Sequence, residues 1–245
     1  MRVDAIAVEL RPRPMWEAAD LGVRLVQTHG RSIWRTFGPV YAAFVLLALA
    51  SVEIAPWLPS LLIFWFKPWL DRSILFVLSR AVFGQETRFA HLWAAQRSVW
   101  WGQPLRTLLW RRFSPWRAFT QPIYQLEGQR GKALRQRRAQ LLRQQGSAAG
   151  GMHFAFATIE GALVFGGAAL AFWFAPEQLR ADVLDWLLGR SGERSLLASL
   201  SMAGLYAAVV AVLEPFYVAA GFGMYLNRRV QLEAWDIEQE FRRAF

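Results

Sequence analysis

The stretch that decides the fold is Leu196–Leu226, LLASLSMAGLYAAVVAVLEPFYVAAGFGMYL, 31 residues with a single charge, Glu214. A hydrocarbon core ~30 Å thick is crossed by ~20 apolar residues of helix. This run therefore exceeds what one crossing needs and places the chain in a bilayer, with tilt or a protruding end taking up the excess. Working outward, a second apolar run at Met152–Ala175 ends at Pro176 and pairs with it across a short polar loop. An earlier pair lies at Gly38–Ala55 and from Pro59 to about Arg80, joined by a turn holding Glu53, Pro56 and Pro59. The expected fold is an all-α integral membrane protein with four transmembrane helices plus amphipathic interfacial helices.

Composition agrees. Hydrophobic residues make up 55% of the 245, and the 13 Trp suit the membrane–water interface, where an indole keeps its ring apolar and its N–H satisfied. There is no cysteine, so neither disulfides nor thiolate chemistry enter. The first apolar run begins only near Val40, with no short apolar segment leading to a small-residue cleavage site. It reads as an uncleaved anchor.

The formal charge of +10 would suggest nucleic acid in a soluble chain, but its distribution points elsewhere. Residues 1–37 hold 6 Lys and Arg, residues 67–143 hold 15, 177–194 hold 3 and 227–245 hold 4, while the turn at 53–59 holds none. Cytoplasmic loops are enriched in Lys and Arg. Both termini and the middle of the chain are expected inside a bacterial inner membrane, and the two short loops outside. Five parts follow: an amphipathic interfacial segment (1–37), a first helix pair (38–83), a cytoplasmic Trp/Arg-rich region (84–151), a second helix pair (152–226) and a cytoplasmic C-terminal helix (227–245).

Within those parts, Trp16–Phe37 carries Leu21, Leu25, Ile33 and Phe37 at helical spacing among Arg24, Arg31 and Arg35, the pattern of a helix lying on a membrane surface. Pro68 is expected to kink its span, leaving Ile74–Phe83 as a separate interfacial helix. Ser147–Gly151 reads as a flexible joint. The basic group Arg130, Lys132, Arg135, Arg137, Arg138 and Arg143 suits anionic headgroups, worth about 1 kcal/mol per residue near the surface, or the acidic face of a partner protein. Nucleic acid is not an expected partner.

Charges inside apolar spans cost ~2.5–3.5 kcal/mol unless they face protein or water. Lys67, Glu160 and Glu214 are the candidates for an intramembrane polar site. Counted from Arg80 and Arg228, Lys67 and Glu214 lie thirteen and fourteen residues in, ~20 Å at 1.5 Å per residue, opposite in sign and matched in depth. They are expected to pair or to share a pocket. Small-residue stripes through Gly204, Ala207, Ala211 and Gly221, and through Ala157, Gly167 and Ala171, turn both glutamates toward helix interfaces. Lys67-Pro68 and Glu214-Pro215 repeat a charge before a proline, the mark of a parallel internal repeat with a kink at each proline. Asp71 and Arg72 read as a pair at the membrane edge.

His29, His91 and His153 are scattered without metal-ligand spacing, and there is no phosphate loop, dinucleotide fingerprint or nucleophile elbow. No enzyme, metal or cofactor is expected.

Three stretches, Lys67–Gly84 (KPWLDRSILFVLSRAVFG), Trp110–Gly128 (WRRFSPWRAFTQPIYQLEG) and Glu214–Arg243 (EPFYVAAGFGMYLNRRVQLEAWDIEQEFRR), resemble a family of polytopic proteobacterial inner-membrane proteins. Its members are encoded near MoxR-type AAA+ ATPases and von Willebrand-type domain proteins. The resemblance implies a non-enzymatic subunit or scaffold of an envelope-associated assembly, engaging partners through the Trp/Arg-rich region, and supplies no catalytic residues. The competing expectation is a small transporter or channel-like protein using Lys67, Glu160 and Glu214. A cavity reaching those three side chains would favour it.

Overall fold

The computed structural model describes residues 12–174, 176–187 and 196–233. They are helical, with no strand among them. Helix α1 (Met15–Ala50) ends in a 3-10 turn, Ser51–Glu53, and leads to α2 (Leu58–Ala81). Five short helices fill the middle of the chain: α3 (Phe89–Ala94), α4 (Gln96–Val99), α5 (Pro104–Leu108), α6 (Arg117–Gln125) and α7 (Gly131–Leu142). Then come α8 (Gly146–Phe174), α9 (Glu177–Leu187) and α10 (Leu196–Glu233). Three of these are long and apolar enough to cross a membrane: α1 with its 3-10 turn, α8 and α10. α2 is apolar at its start but carries Lys67, Asp71, Arg72 and Arg80, and does not reach that standard.

α10 is the hub. α1, α2, α6 and α8 all pack on it. Against α1 the approach is backbone to backbone: a Cβ added at Gly22 would overlap the main chain of Ala219, and one at Gly223 would overlap that of Ala18. Gly221 admits α6 in the same way, its missing Cβ leaving room for Ala118. Small residues let helices come this close. The core around these contacts holds Val26, Ile33, Phe37, Leu70, Ile74, Phe119 and Tyr225.

The segment expected to lie on the membrane surface is instead continuous with the first apolar run. α1 runs from Met15 through residue 37 to Ala50 with a kink at His29, whose backbone leaves the helical region. Its apolar face is covered by protein, because Ala18, Gly22, Val26, Ile33 and Phe37 are buried. The exposed side changes character along its length, from Arg24, Arg31 and Arg35 to Leu46 and Leu47.

Two further expectations are corrected. Residues 74–81 are not a separate helix, since α2 continues through Pro68 with Ile74, Leu75, Val77 and Leu78 wholly inside the core. Pro215 lies within α10, whose helical run continues on both sides of it. Lys67 and Glu214, each one residue before a proline, are tied to other helices by ion pairs. The expected joint at Ser147–Gly151 is the first turn and a half of α8; Trp116 Nε1 donates to Gly146 O at 2.8 Å, and the bare Gly150 and Gly151 let Trp116 and Trp16 lie against the helix. The expected C-terminal helix lies outside the described residues beyond Glu233.

Candidate polar site in the α2–α8 cleft

α2 and α8 both lean on α10 but barely touch one another. The gap between them is a cavity of about 790 Å³. Its walls are apolar and aromatic (Leu61, Phe64, Phe113, Phe156, Val164 and Phe165), and its polar lining comprises Lys67, Arg112, Arg117, His153, Glu160, Tyr206, Glu214 and Tyr217, with Ser60 at one side.

The three sequence-level candidates meet there. Lys67 Nζ lies 2.5 Å from Glu160 Oε2 and 2.7 Å from Glu214 Oε2. Lys67 thus ties α2 to α8 and α10 at once. Tyr206 Oη donates to the other oxygen of Glu160 at 3.0 Å. The second oxygen of Glu214 accepts from Arg117 Nη2 at 2.5 Å. Two turns before Glu160, His153 Nδ1 and Tyr217 Oη share a hydrogen bond of 2.9 Å, and the Arg117 guanidinium lies 4.8 Å above the Tyr217 ring. Lys67 and Glu214 are almost entirely buried, at 4% and 3% exposure.

Two members of the network escaped the sequence reading. Asp71 is not paired with Arg72 at a membrane edge. It is fully buried, its Oδ2 lies 3.6 Å from Arg117 Nε, and neither carboxylate oxygen has a hydrogen-bond donor among the described residues. Arg72 points away, donating to Gly102 O and, at 3.3 Å, to Ser98 O. Adjacent helical residues do not share a face, whereas residues four apart do. Lys67 and Asp71 are four apart, which is the signal that could have found Asp71. Arg117 had no such signal, being one arginine among many in the central region. Burial alone would depress its charge, but Tyr217, Asp71 and Glu214 outweigh burial and hold the guanidinium above its ordinary value.

Arg112 completes the lining. Its guanidinium stacks 3.5 Å over the Phe64 ring. It makes no hydrogen bond or ion pair among the described residues, and its Nε is buried without an acceptor. Burial, then the neighbouring Arg117, hold it below the ordinary guanidinium value, with Glu214, Tyr206 and Asp71 pulling the other way.

The basic group of the central region divides in two. Arg137 is built into the fold, bonded to Glu127 at 3.0 Å and to Glu233 of α10, and Arg138 donates to Ser114 Oγ and lies over the Trp116 ring. Arg130, Lys132, Arg135 and Arg143 stay exposed.

Among the described residues no group of three or more His, Asp or Glu is arranged to hold a metal ion. The cleft thus gathers paired opposite charges on an otherwise apolar wall. No protein-family model, curated protein or solved structure matches this chain.

Proposed function

We propose that this chain is a multi-pass protein of a bacterial inner membrane that binds a small molecule in the α2–α8 cleft, acting as a small carrier or channel-like protein. The observation that carries the reading is the cavity reaching Lys67, Glu160 and Glu214. Its volume lies within the ~300–1,000 Å³ common for ligand sites, and ionisable residues at membrane depth mark solute or ion pathways more often than they serve packing alone. The cleft is walled by one helix, α8, that buries little of itself beyond Ala149, Met152 and Ala168, so the wall is held mainly by α10 and the Lys67–Glu160 bridge.

In this reading α2 supplies the fourth crossing, antiparallel to α1, and both termini and the arginine-rich middle are cytoplasmic. The change from exposed Arg35 to exposed Leu46 and Leu47 along α1 supports an inner membrane boundary near Pro39. Tyr41 Oη donates to Ala207 O at 2.7 Å, and Glu214 lies seven residues further along α10, ~10 Å nearer the cytoplasm. Lys67 lies nine residues, ~14 Å, along α2 from its outer end, so the ion network sits within the apolar belt and water reaches it through the cleft.

Because the chain has no cysteine, the test is direct. Gly161 lines the cavity and has open space where a Cβ would stand. In membranes, Gly161→Cys is expected to react with a small water-soluble thiol reagent far faster than Ala43→Cys on the exposed apolar side of α1. Equal, slow modification of both would contradict a water-reached cleft.

The second reading, a non-enzymatic subunit of an envelope assembly, is favoured by the exposed Arg130, Lys132, Arg135 and Arg143 together with exposed Trp93, Trp101 and Trp110. Anionic lipid or an acidic partner protein would satisfy that surface, and the two readings are compatible in one molecule.

A further inference from the structure

The cleft's charges are not equally spoken for. Lys67 is matched by Glu160 and Glu214, and Arg117 by Glu214 and Asp71. Arg112 is not matched. It is 9% exposed, it lines the cavity, and it has no carboxylate or hydrogen-bond acceptor among the described residues. A buried charge without a partner is costly, so such a site favours an incoming opposite charge. Its neighbour Arg117 adds a second donor, Nη1, with no acceptor among the described residues. A guanidinium presents its donors in a planar fork that matches carboxylate and phosphate oxygens.

The rest of the lining specifies what the anion is attached to. Phe64 lies under Arg112 itself, and Phe113, Phe156 and Phe165 carry the cavity outward from it. Phe64, Phe113 and Phe165 are also exposed on the outside of the molecule, so the apolar wall continues from the floor of the cleft to its rim. A free inorganic anion would leave that wall unoccupied. An acyl or alkyl chain would cover it, gaining about 25 cal/mol for each Å² of apolar surface removed from water.

We propose that the α2–α8 cleft binds an acidic amphiphile, a single hydrocarbon chain bearing a carboxylate or phosphate head, with the head on Arg112 beside Arg117 and the chain among the phenylalanines. This rests on the binding-site reading above and names the ligand class for it. α2 and α8 scarcely meet, so such a molecule enters sideways from the bilayer rather than through a pore.

The test reads protection of Gly161→Cys from a water-soluble thiol reagent in phosphatidylcholine vesicles, with dodecyl phosphate, dodecanoate, dodecanol or inorganic phosphate added. The ratio of rates with and without additive is taken within each variant, so partitioning into lipid and changes in basal reactivity cancel. At a concentration about ten times its dissociation constant, dodecyl phosphate or dodecanoate is expected to slow modification about tenfold. Protection by only one of the two assigns the head as phosphate or carboxylate. Dodecanol and inorganic phosphate are expected to protect little. Adding Arg112→Gln is expected to abolish protection, and Arg112→Lys to restore part of it. Arg138→Gln, which removes an arginine from outside the cavity, should leave the ratio as it was.

Equal protection by dodecanol would overturn the role of charge. Protection by inorganic phosphate alone would overturn the role of the chain. An undiminished effect in Arg112→Gln would overturn the assignment of Arg112. If Gly161→Cys reacts readily but no amphiphile protects it, this inference fails and the open cleft stands. If Gly161→Cys does not react at all, both fail.

Discussion

At the residue scale, Lys67 is the pivot of the candidate site. It is one ammonium between two carboxylates from two other helices. Removing one partner of a buried ion pair costs about 3–5 kcal/mol, because the remaining charge stays buried without compensation. Lys67→Met is expected to lower thermal stability in mild detergent by an amount of that order, and adding Glu160→Gln should recover part of it. An unchanged melting temperature in Lys67→Met would contradict the network. The structure also changes the meaning of the simpler charge exchange. Glu214→Lys would set a second cation against Arg117, so the reciprocal K67E/E214K exchange is expected not to restore stability even though Lys67 and Glu214 touch. Lys67, Glu160 and Glu214 were legible in the sequence because a charge in an apolar run is conspicuous there. Asp71 was obscured by its neighbour Arg72, an adjacency in sequence that a helix turns into directions about 100° apart. Arg112 and Arg117 belong to a segment dense with arginine, where composition alone cannot separate those that turn inward from Arg130 or Arg135, which face outward.

At the element scale, the long apolar runs were legible as helices, and their boundaries were not. The sequence break at Gly38-Pro39 suggests two elements, yet proline in a helix displaces only a local bond, and packing on α10 carries α1 through it. The same override removes the break expected at Pro68. The contact that matters most here is the glycine seam of α1 and α10. Gly22→Val would drive side-chain atoms into the backbone of Ala219. Overpacking costs typically 1–3 kcal/mol, and a collision with main chain, which cannot rotate away, belongs at or above the top of that range. The variant is expected to melt well below the parent or to fail to accumulate. Gly38→Ala, where a Cβ meets nothing, is expected to be tolerated, and equal effects of the two would contradict the seam. α7 gives a second contrast. Arg137→Ala breaks a bridge joining Glu127 to Glu233 of α10 and should destabilise the fold. Arg135→Ala, on the exposed side, should leave the melting temperature unchanged and weaken retention of anionic lipid by the detergent-solubilised protein by about 1 kcal/mol.

At the scale of the whole molecule, the hydrophobic surface and the polar cleft belong to one design. α10 carries a half from Leu196 to Val212 that is apolar and partly exposed, and a half from Glu214 onward that is enclosed by α1, α2 and α6. The candidate site lies where the two halves meet. The exposed Leu105, Leu109, Trp110 and Phe113 of the central region sit near the same level, since Phe113 packs edge-on against Trp65 at 5.8 Å. The Trp/Arg-rich region therefore has an apolar outer surface beside its arginines, a combination suited to the interfacial layer.

The orientation of this body in lipid underlies the proposed entry route and the ligand. The most direct measurement is labelling of a single cysteine introduced at exposed Arg135 with a membrane-impermeant maleimide, in intact cells and in inverted vesicles. Modification in inverted vesicles alone is the predicted result. Modification in intact cells, or recovery of the chain from the soluble fraction without detergent, would contradict it.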